Sequence, residues 1–210
     1  MKKLLLWLLP ALFALVLPAL APAQAGQLDR SFAGTGKVTA FLEPPDPDRA
    51  APEAHLAWAG RGKIVVAAGR TLAEYLPNGR LNRSFGDGGR LRVEPEPGSD
   101  VDLAGVAVDS RGRILVAGTT RPSQWSAAGF VARYLADGRP DRSFGNGGTV
   151  LTTLGLPAPP KPPNPHPLQP VPPIEGPFVR FLGLAVDAAD RPVLSGAWTR
   201  AFTLCYPFLN

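Results

Sequence analysis

A stretch that occurs three times decides the fold of this chain. Residues 80–91 read RLNRSFGDGGRL, and the pattern returns as QLDRSFAGTGKV at residues 27–38 and as RPDRSFGNGGTV at residues 139–150. Recurrence of this kind is typical of repeat architectures. Each copy carries a phenylalanine that we expect to fill a corner between units (Phe32, Phe85, Phe144), and Gly88 and Gly147 are further structural residues of the repeat.

Two more elements recur in the same order around that stretch. The first is AWAGRGKIVVA at residues 57–67, AVDSRGRILVA at 107–117 and AVDAADRPVLS at 185–195. The second is EYLPNG at 74–79, RYLADG at 133–138 and CYPFLN at 205–210. We expect Asp109 and Asp187 to accept hydrogen bonds from the amides of their own turns, as Asp does in Asx-turns.

Each repeat is predicted to contain four short strands, because its runs are β-branched or aromatic and are bounded by turn residues. The predicted strands are a (37–42, 90–94, 149–154), b (55–58, 103–108, 180–186), c (63–68, 113–117, 193–196) and d (71–76, 129–135, 202–206). The 25 prolines and 23 glycines among 210 residues exclude a helical bundle. The prediction is an all-β chain of three four-stranded antiparallel units, at 27–78, 79–137 and 138–210.

These motifs resemble the delta-60 repeat of exported bacterial proteins. The resemblance rests on the Leu-Asp-x-Ser-Phe-Gly-x-Gly-Gly corner, the Asp-x-x-Gly-Arg hairpin and the Arg-Tyr-x-x-Asp-Gly end, and covers residues 27–210. It implies a β-propeller-like fold, in a family whose members mostly lack an assigned activity. The chain departs from the pattern at Ala33, at Pro140 and at Ala189 with Asp190.

Three units are fewer than the four to eight blades of a closed propeller. The sequence therefore predicts a partial or open propeller-like array and leaves three alternatives: an open array, a propeller completed by self-association through open blade edges, or a truncated longer chain.

Residues 1–25 have the pattern of a signal peptide. Lys2 and Lys3 precede an apolar run that ends in Ala23-Gln24-Ala25, which predicts a mature start at Gly26 and a repeat domain over 26–210. We expect a periplasmic, cell-surface or secreted protein.

The charge and cysteine content of the remaining chain are ordinary. Without Lys2 and Lys3 the formal net charge of +5 becomes +3, which gives no support for a nucleic-acid partner. Cys205 is the only cysteine, so no intrachain disulfide is possible.

Two opposite ends of the sheets differ in their connections. The a–b and c–d loops, which vary in length, lie at what we call the variable end, and the b–c turns and d–a corners lie at the constant end. Insertions that gather on one side often mark a binding surface. The candidate binding residues there are Arg121, Trp125, Glu94, Glu96, Asp46 and Asp48. An insertion at 155–178, with 11 prolines in 157–177, is predicted to be an extended spacer or a projecting ligand.

The charges suggest partners rather than a reaction. Basic side chains dominate the constant end, which favours an anionic envelope polymer, and acidic ones dominate the variable end, which favours a cationic or protein partner or calcium. The simpler alternative is that these are solvated turn charges, with the arginines bonding their own corners. His55 and His166 lie at no metal-ligand spacing, and no nucleophile elbow or phosphate loop is present, so the sequence predicts no catalytic residue, no resident metal and no cofactor beyond calcium.

The function predicted from the sequence is an exported binding or structural module. The alternatives are a fragment of a longer propeller protein, or a propeller hydrolase that uses a–b loop carboxylates.

Overall fold

A computed structural model describes residues 26–42, 53–123, 126–152 and 178–199. In these ranges the chain forms ten strands and no helix, and every strand pair is antiparallel. The all-β prediction is confirmed. Within the same ranges no helix has the length and apolar character needed to cross a membrane.

The strands form three separate sheets, none of which closes on itself. Sheet 1 contains β1 (Ala54–Trp58), β2 (Ile64–Ala68), β3 (Thr71–Tyr75) and β4 (Arg90–Arg92). Sheet 2 contains β5 (Asp100–Val108), β6 (Ile114–Ser123), β7 (Ser126–Tyr134) and β8 (Thr149–Thr152). Sheet 3 contains β9 (Phe178–Val186) and β10 (Pro192–Thr199).

The sheets do not follow the boundaries of the repeat units, and here the predicted grouping was wrong. Sheet 1 combines strands b, c and d of the first unit with strand a of the second, and sheet 2 is shifted in the same way. Residues 37–42, predicted as the first strand a, form no strand. The reason is that strand a pairs with the strand d before its corner, and within the described residues no strand d precedes residue 37.

The predicted long c–d loop of the second unit is also wrong, because β6 and β7 continue their pairing to Ser123 and Ser126. Thr119 and Thr120, which lie beyond the predicted end of strand c, are buried with their hydroxyls satisfied. Thr119 Oγ1 donates to the Val179 carbonyl at 3.2 Å, and Thr120 Oγ1 donates to Ser99 Oγ at 2.8 Å. Strand β9 begins at Phe178, the last residue of the predicted insertion. Residues 153–177, the predicted signal peptide 1–25 and the predicted strand 202–206 lie outside the described ranges.

The core consists of two apolar layers between consecutive sheets. The larger layer joins sheets 1 and 2 through side chains such as Val65, Leu72 and Phe130, which are completely buried. The smaller layer joins sheets 2 and 3 through Ala117, Val131, Val179 and Phe181. Because successive side chains of a strand point to opposite faces, one face of sheet 2 packs against sheet 1 and the other face packs against sheet 3.

The three corners have one backbone conformation. In each, the amide of the phenylalanine bonds to a carbonyl three residues earlier, and the phenylalanine carbonyl accepts from a glycine amide four residues later, at distances between 2.7 and 3.1 Å. Phe85 is fully buried in the larger core layer, whereas Phe32 and Phe144 are half-buried. Gly88 and Gly147 adopt φ values of +58° and +63°, where a glycine avoids the Cβ clash.

Candidate functional site

The constant end carries a corner whose charge differs from that of its repeat counterpart. In the turn after strand d, Asn78 occupies the position of Asp137, and in the corner that follows, Asn82 occupies the position of Asp141. The amides keep the structural hydrogen bonds of the carboxylates: Asn78 Oδ1 accepts from the Arg80 amide at 3.1 Å, and Asn82 Oδ1 accepts from the Ser84 amide at 3.2 Å. The turns are thus preserved while two negative charges are absent.

In the third corner each aspartate pairs with an arginine, but Arg142, the counterpart of Arg83, has no ion-pair partner among the described residues. Asp137 accepts from the amide of Arg139 and pairs with the Arg139 guanidinium at 2.8 Å, and that amide bond holds the pKa of Asp137 below its ordinary value of 3.8. Asp141 pairs with Arg133 at 2.8 Å, and the hydroxyl of Ser143 is the main cause that lowers the pKa of Asp141. Both aspartates are therefore ionised at neutral pH and balance the local positive charge.

The second corner uses its one carboxylate differently. Glu74, at the β3 position that matches Arg133, is fully buried and contacts Lys63 Nζ with both oxygens at 3.0 Å. Asn82 Nδ2 also donates to Glu74 Oε1. Glu74 is thus committed to Lys63 and Asn82, and neither of its oxygens pairs with Arg80 or Arg83.

A hollow of about 550 Å³ opens beside this corner. Its lining comprises Leu76, Asn78, Arg80, Leu81, Asn82, Arg83 and Ser84. Arg80 and Arg83 are exposed, and in the portion of the chain that the structure describes neither guanidinium has an ion-pair partner. Arginine presents a planar fork of donors that matches carboxylate and phosphate oxygens. Two such forks over a concave surface can bind an anionic group.

The structure does not bring the candidate residues of the variable end together. Arg121 pairs with Asp102 at 2.6 Å, and Glu94 pairs with its neighbour Arg92 at 2.7 Å. The carbonyl of Glu96 accepts from the Ser99 hydroxyl at 2.9 Å, within a turn. Asp46, Asp48 and Trp125 lie outside the described residues.

The hairpin aspartates Asp109 and Asp187 lie within their own turns. Asp109 Oδ1 accepts from the amides of Arg111 and Arg113 at 3.0 and 2.9 Å, and Asp187 Oδ1 accepts from those of Ala189 and Arg191, both at 2.9 Å. The carboxylate of Asp109 also pairs with the Arg113 side chain at 2.5 Å. These contacts fix the shape of the hairpin.

A further contact at the constant end links two sheets. Asp190 occupies the turn position of Gly112 and adopts a φ of +60°, which is unfavourable for a residue with a Cβ. Its carboxylate accepts from the Ser110 amide at 2.9 Å and from the Ser110 hydroxyl at 2.8 Å. The amide bond is the largest cause that lowers the pKa of Asp190. The residue that departs from the repeat pattern therefore ties sheet 3 to sheet 2.

His55 has a structural position, since its Nε2–H donates to the Leu103 carbonyl at 3.1 Å and so joins sheets 1 and 2. Across the described ranges, no three His, Cys, Asp or Glu side chains meet as a metal-ligand group. The turn containing Asp87 is closed by backbone bonds between Asp87 and Arg90.

The hollow was not singled out from the sequence, where Arg80 and Arg83 counted only among the basic residues of the constant end. The sequence nevertheless carries a signal, because two repeat positions four residues apart, 78 and 82, have Asn where the next unit has Asp, while the arginines beside them remain.

One comparison with known proteins gives a partial match. Residues 112–144, which include β6, β7 and the turn at Asp137, match a family described as a domain of unknown function (DUF5122) beta-propeller. The chain has no significant match among curated proteins or among solved structures. The partial match and the antiparallel sheets together support a repeat of the β-propeller type.

Proposed function

We propose that this protein is an exported binding module of the delta-60 repeat type, which holds an anionic polymer of the cell envelope or extracellular space. The observation that carries the proposal is the hollow at the second corner, where Arg80 lacks the carboxylate that pairs with its counterpart Arg139 in the third corner and shares the lining with the exposed Arg83.

The chemistry favours a polymer over a small ligand. The hollow is open and shallow compared with the enclosed clefts that bury most of a small molecule. Arg30, Arg61 and Arg90 are also exposed at the constant end and extend the positive surface beyond the hollow. An extended chain with regularly spaced carboxylate or phosphate groups would contact several of these positions at once.

Binding of polygalacturonate, a carboxylated polysaccharide, tests the proposal in calorimetric titrations of the wild-type protein and of R80Q/R83Q. Two exposed ion pairs contribute up to about 1 kcal/mol each. We therefore expect a Kd about tenfold weaker for R80Q/R83Q, equivalent to about 1.4 kcal/mol.

The matched control compares R80Q with R139Q, which removes the arginine from the equivalent position of the third corner. R139Q should bind within about twofold of the wild type, since Arg139 is already paired with Asp137, whereas R80Q should account for a measurable part of the loss. Equal losses in the two variants, or binding that is insensitive to salt, would refute a specific site at the second corner.

Export is tested separately by expressing the full chain in a bacterial host and sequencing the amino terminus of the protein recovered outside the cytoplasm. The expected terminus is Gly26. Recovery in the cytoplasm with Met1 retained would contradict export without affecting the binding site.

A further inference from the structure

One backbone contact between a corner and a later turn occurs twice in the described residues. The amide of Ala33, in the first corner, donates to the Asn78 carbonyl at 2.9 Å, and the amide of Gly86, in the second corner, donates to the Asp137 carbonyl at 2.9 Å. The Gly86 contact joins sheet 1 to sheet 2. The Ala33 contact places the first corner, which belongs to no sheet, against the equivalent turn of sheet 1.

The outer face of sheet 1 exposes residues that this interface normally buries. Leu56 and Trp58 on β1 are 68% and 66% exposed. Their repeat counterparts on β5, Val106 and Val108, pack into the core layer between sheets 1 and 2. Residues 32–42 border this face and leave a hollow of about 300 Å³ beside Leu56. The outer face of sheet 1 thus has the character of a blade whose preceding neighbour is missing.

The outer face of sheet 3 has the complementary property. Val193 on β10 is 53% exposed, whereas its counterparts Val65 and Leu115 are completely buried against the next sheet. Leu182, at the irregular part of β9, is 58% exposed. Val193 pairs with Ala185 across β9 and β10, so this outer face is apolar like the outer face of sheet 1.

We propose that the outer face of sheet 3 in one copy of this chain packs on the outer face of sheet 1 in a second copy, and that two copies close into a ring. The contact reuses the interface that joins the sheets within the chain. A head-to-tail contact of this kind either closes or propagates. The three sheets of the described residues, taken twice, fall within the four to eight blades of closed propellers. The proposal is independent of the polymer-binding function.

Light scattering coupled to size exclusion tests it, with the chain expressed with residues 1–25 in place so that natural processing occurs. We expect a mass of two chains for the wild type, unchanged on further concentration. L56E and V193K each place a charge on one outer face, and each should have the mass of one chain. A wild-type mass of one chain, or a mass that grows with concentration, would overturn the proposal.

Mixing the two variants distinguishes head-to-tail packing from other dimers. A ring of one L56E copy and one V193K copy contains one unaltered interface and one that pairs opposite charges, so the mixture should regain the mass of two chains. L151E is the control for an exposed leucine elsewhere, on β8 of the middle sheet, and should stay dimeric. Failure of the mixture to recover, or dissociation of L151E, would refute the proposed interface.

Discussion

Individual residues of this repeat differ in importance although they occupy equivalent positions. Phe85 lies between two sheets and is completely buried, whereas Phe32 is half-buried. Glu74 and Arg133 occupy the same position with opposite charge, and each is balanced by its own partners: Lys63 and Asn82 in one sheet, Asp141 in the other. At this position the repeat units differ in residue type and keep the polar groups satisfied.

Phe85→Ala tests the corner packing. Removing a fully buried phenylalanine costs about 3–5 kcal/mol of unfolding free energy, because apolar contact is lost and a cavity remains. Phe32→Ala is the matched control, and we expect it to cost less than half as much. The measurement is urea unfolding followed by circular dichroism, and equal losses would show that the corners are equivalent in packing.

Lys63→Met tests the buried carboxylate. It leaves Glu74 without its cation, and breaking a buried pair from one side costs about 3–5 kcal/mol. The double variant Lys63→Met/Glu74→Leu removes both charges and should recover most of that loss. A double variant as unstable as the single one would show that the ion pair itself, and not the uncompensated charge, determines the effect.

At the scale of elements, the strands were predictable where side chains alternate and were missed where pairing depends on distant residues. The hairpin β2–β3 agrees with its prediction to within one residue at either end. The pairing of strand a with strand d of the preceding unit was not predictable. The repeat boundaries in the sequence do not show which strand lies next to which in a sheet. Likewise, the buried hydroxyls of Thr119 and Thr120 depend on acceptors supplied by the distant Val179 and Ser99. The lining of the hollow, by contrast, comes from residues 76–84 alone, so its composition could be read from the sequence.

Gly138→Ala tests the contact between a corner and the next turn. A Cβ at Gly138 would lie 2.8 Å from the amide nitrogen of Gly86, whereas a Cβ at Gly147 would meet nothing within 4 Å. Both glycines have positive φ, which costs an alanine about 1–2 kcal/mol. We therefore expect that loss for Gly147→Ala and a larger one for Gly138→Ala, measured by thermal unfolding. Equal losses of stability in the two variants would mean that the second corner shifts to accommodate the Cβ of residue 138 without a cost in free energy.

At the scale of the whole molecule, aspartates at the constant end link stability to pH. Hydrogen bonds lower the pKa of Asp141, Asp187 and Asp190 from 3.8, led by the Ser143 hydroxyl, the Arg191 amide and the Ser110 amide respectively. A carboxyl group whose pKa is lower in the folded state stabilises the fold at pH values above its pKa in the unfolded chain. This contribution is lost as the pH falls through the pKa of the folded state.

The urea concentration at the midpoint of unfolding should accordingly stay constant from pH 7 to about pH 5 and decrease below about pH 4. Asp190→Asn, which removes one of the titrating groups, should make that decline shallower. A midpoint that rises on acidification, or an unchanged slope in the variant, would contradict this link.

The central claim is that the second corner is the place where this molecule meets an anionic polymer. Titration of the isotope-labelled protein with polygalacturonate, followed by amide chemical shifts, tests it most directly. We predict that shift changes concentrate at residues 78–84 and are small at the equivalent residues 137–143. Changes of equal size at both corners, or changes centred on Glu94, Glu96 and Arg121 at the variable end, would contradict the account.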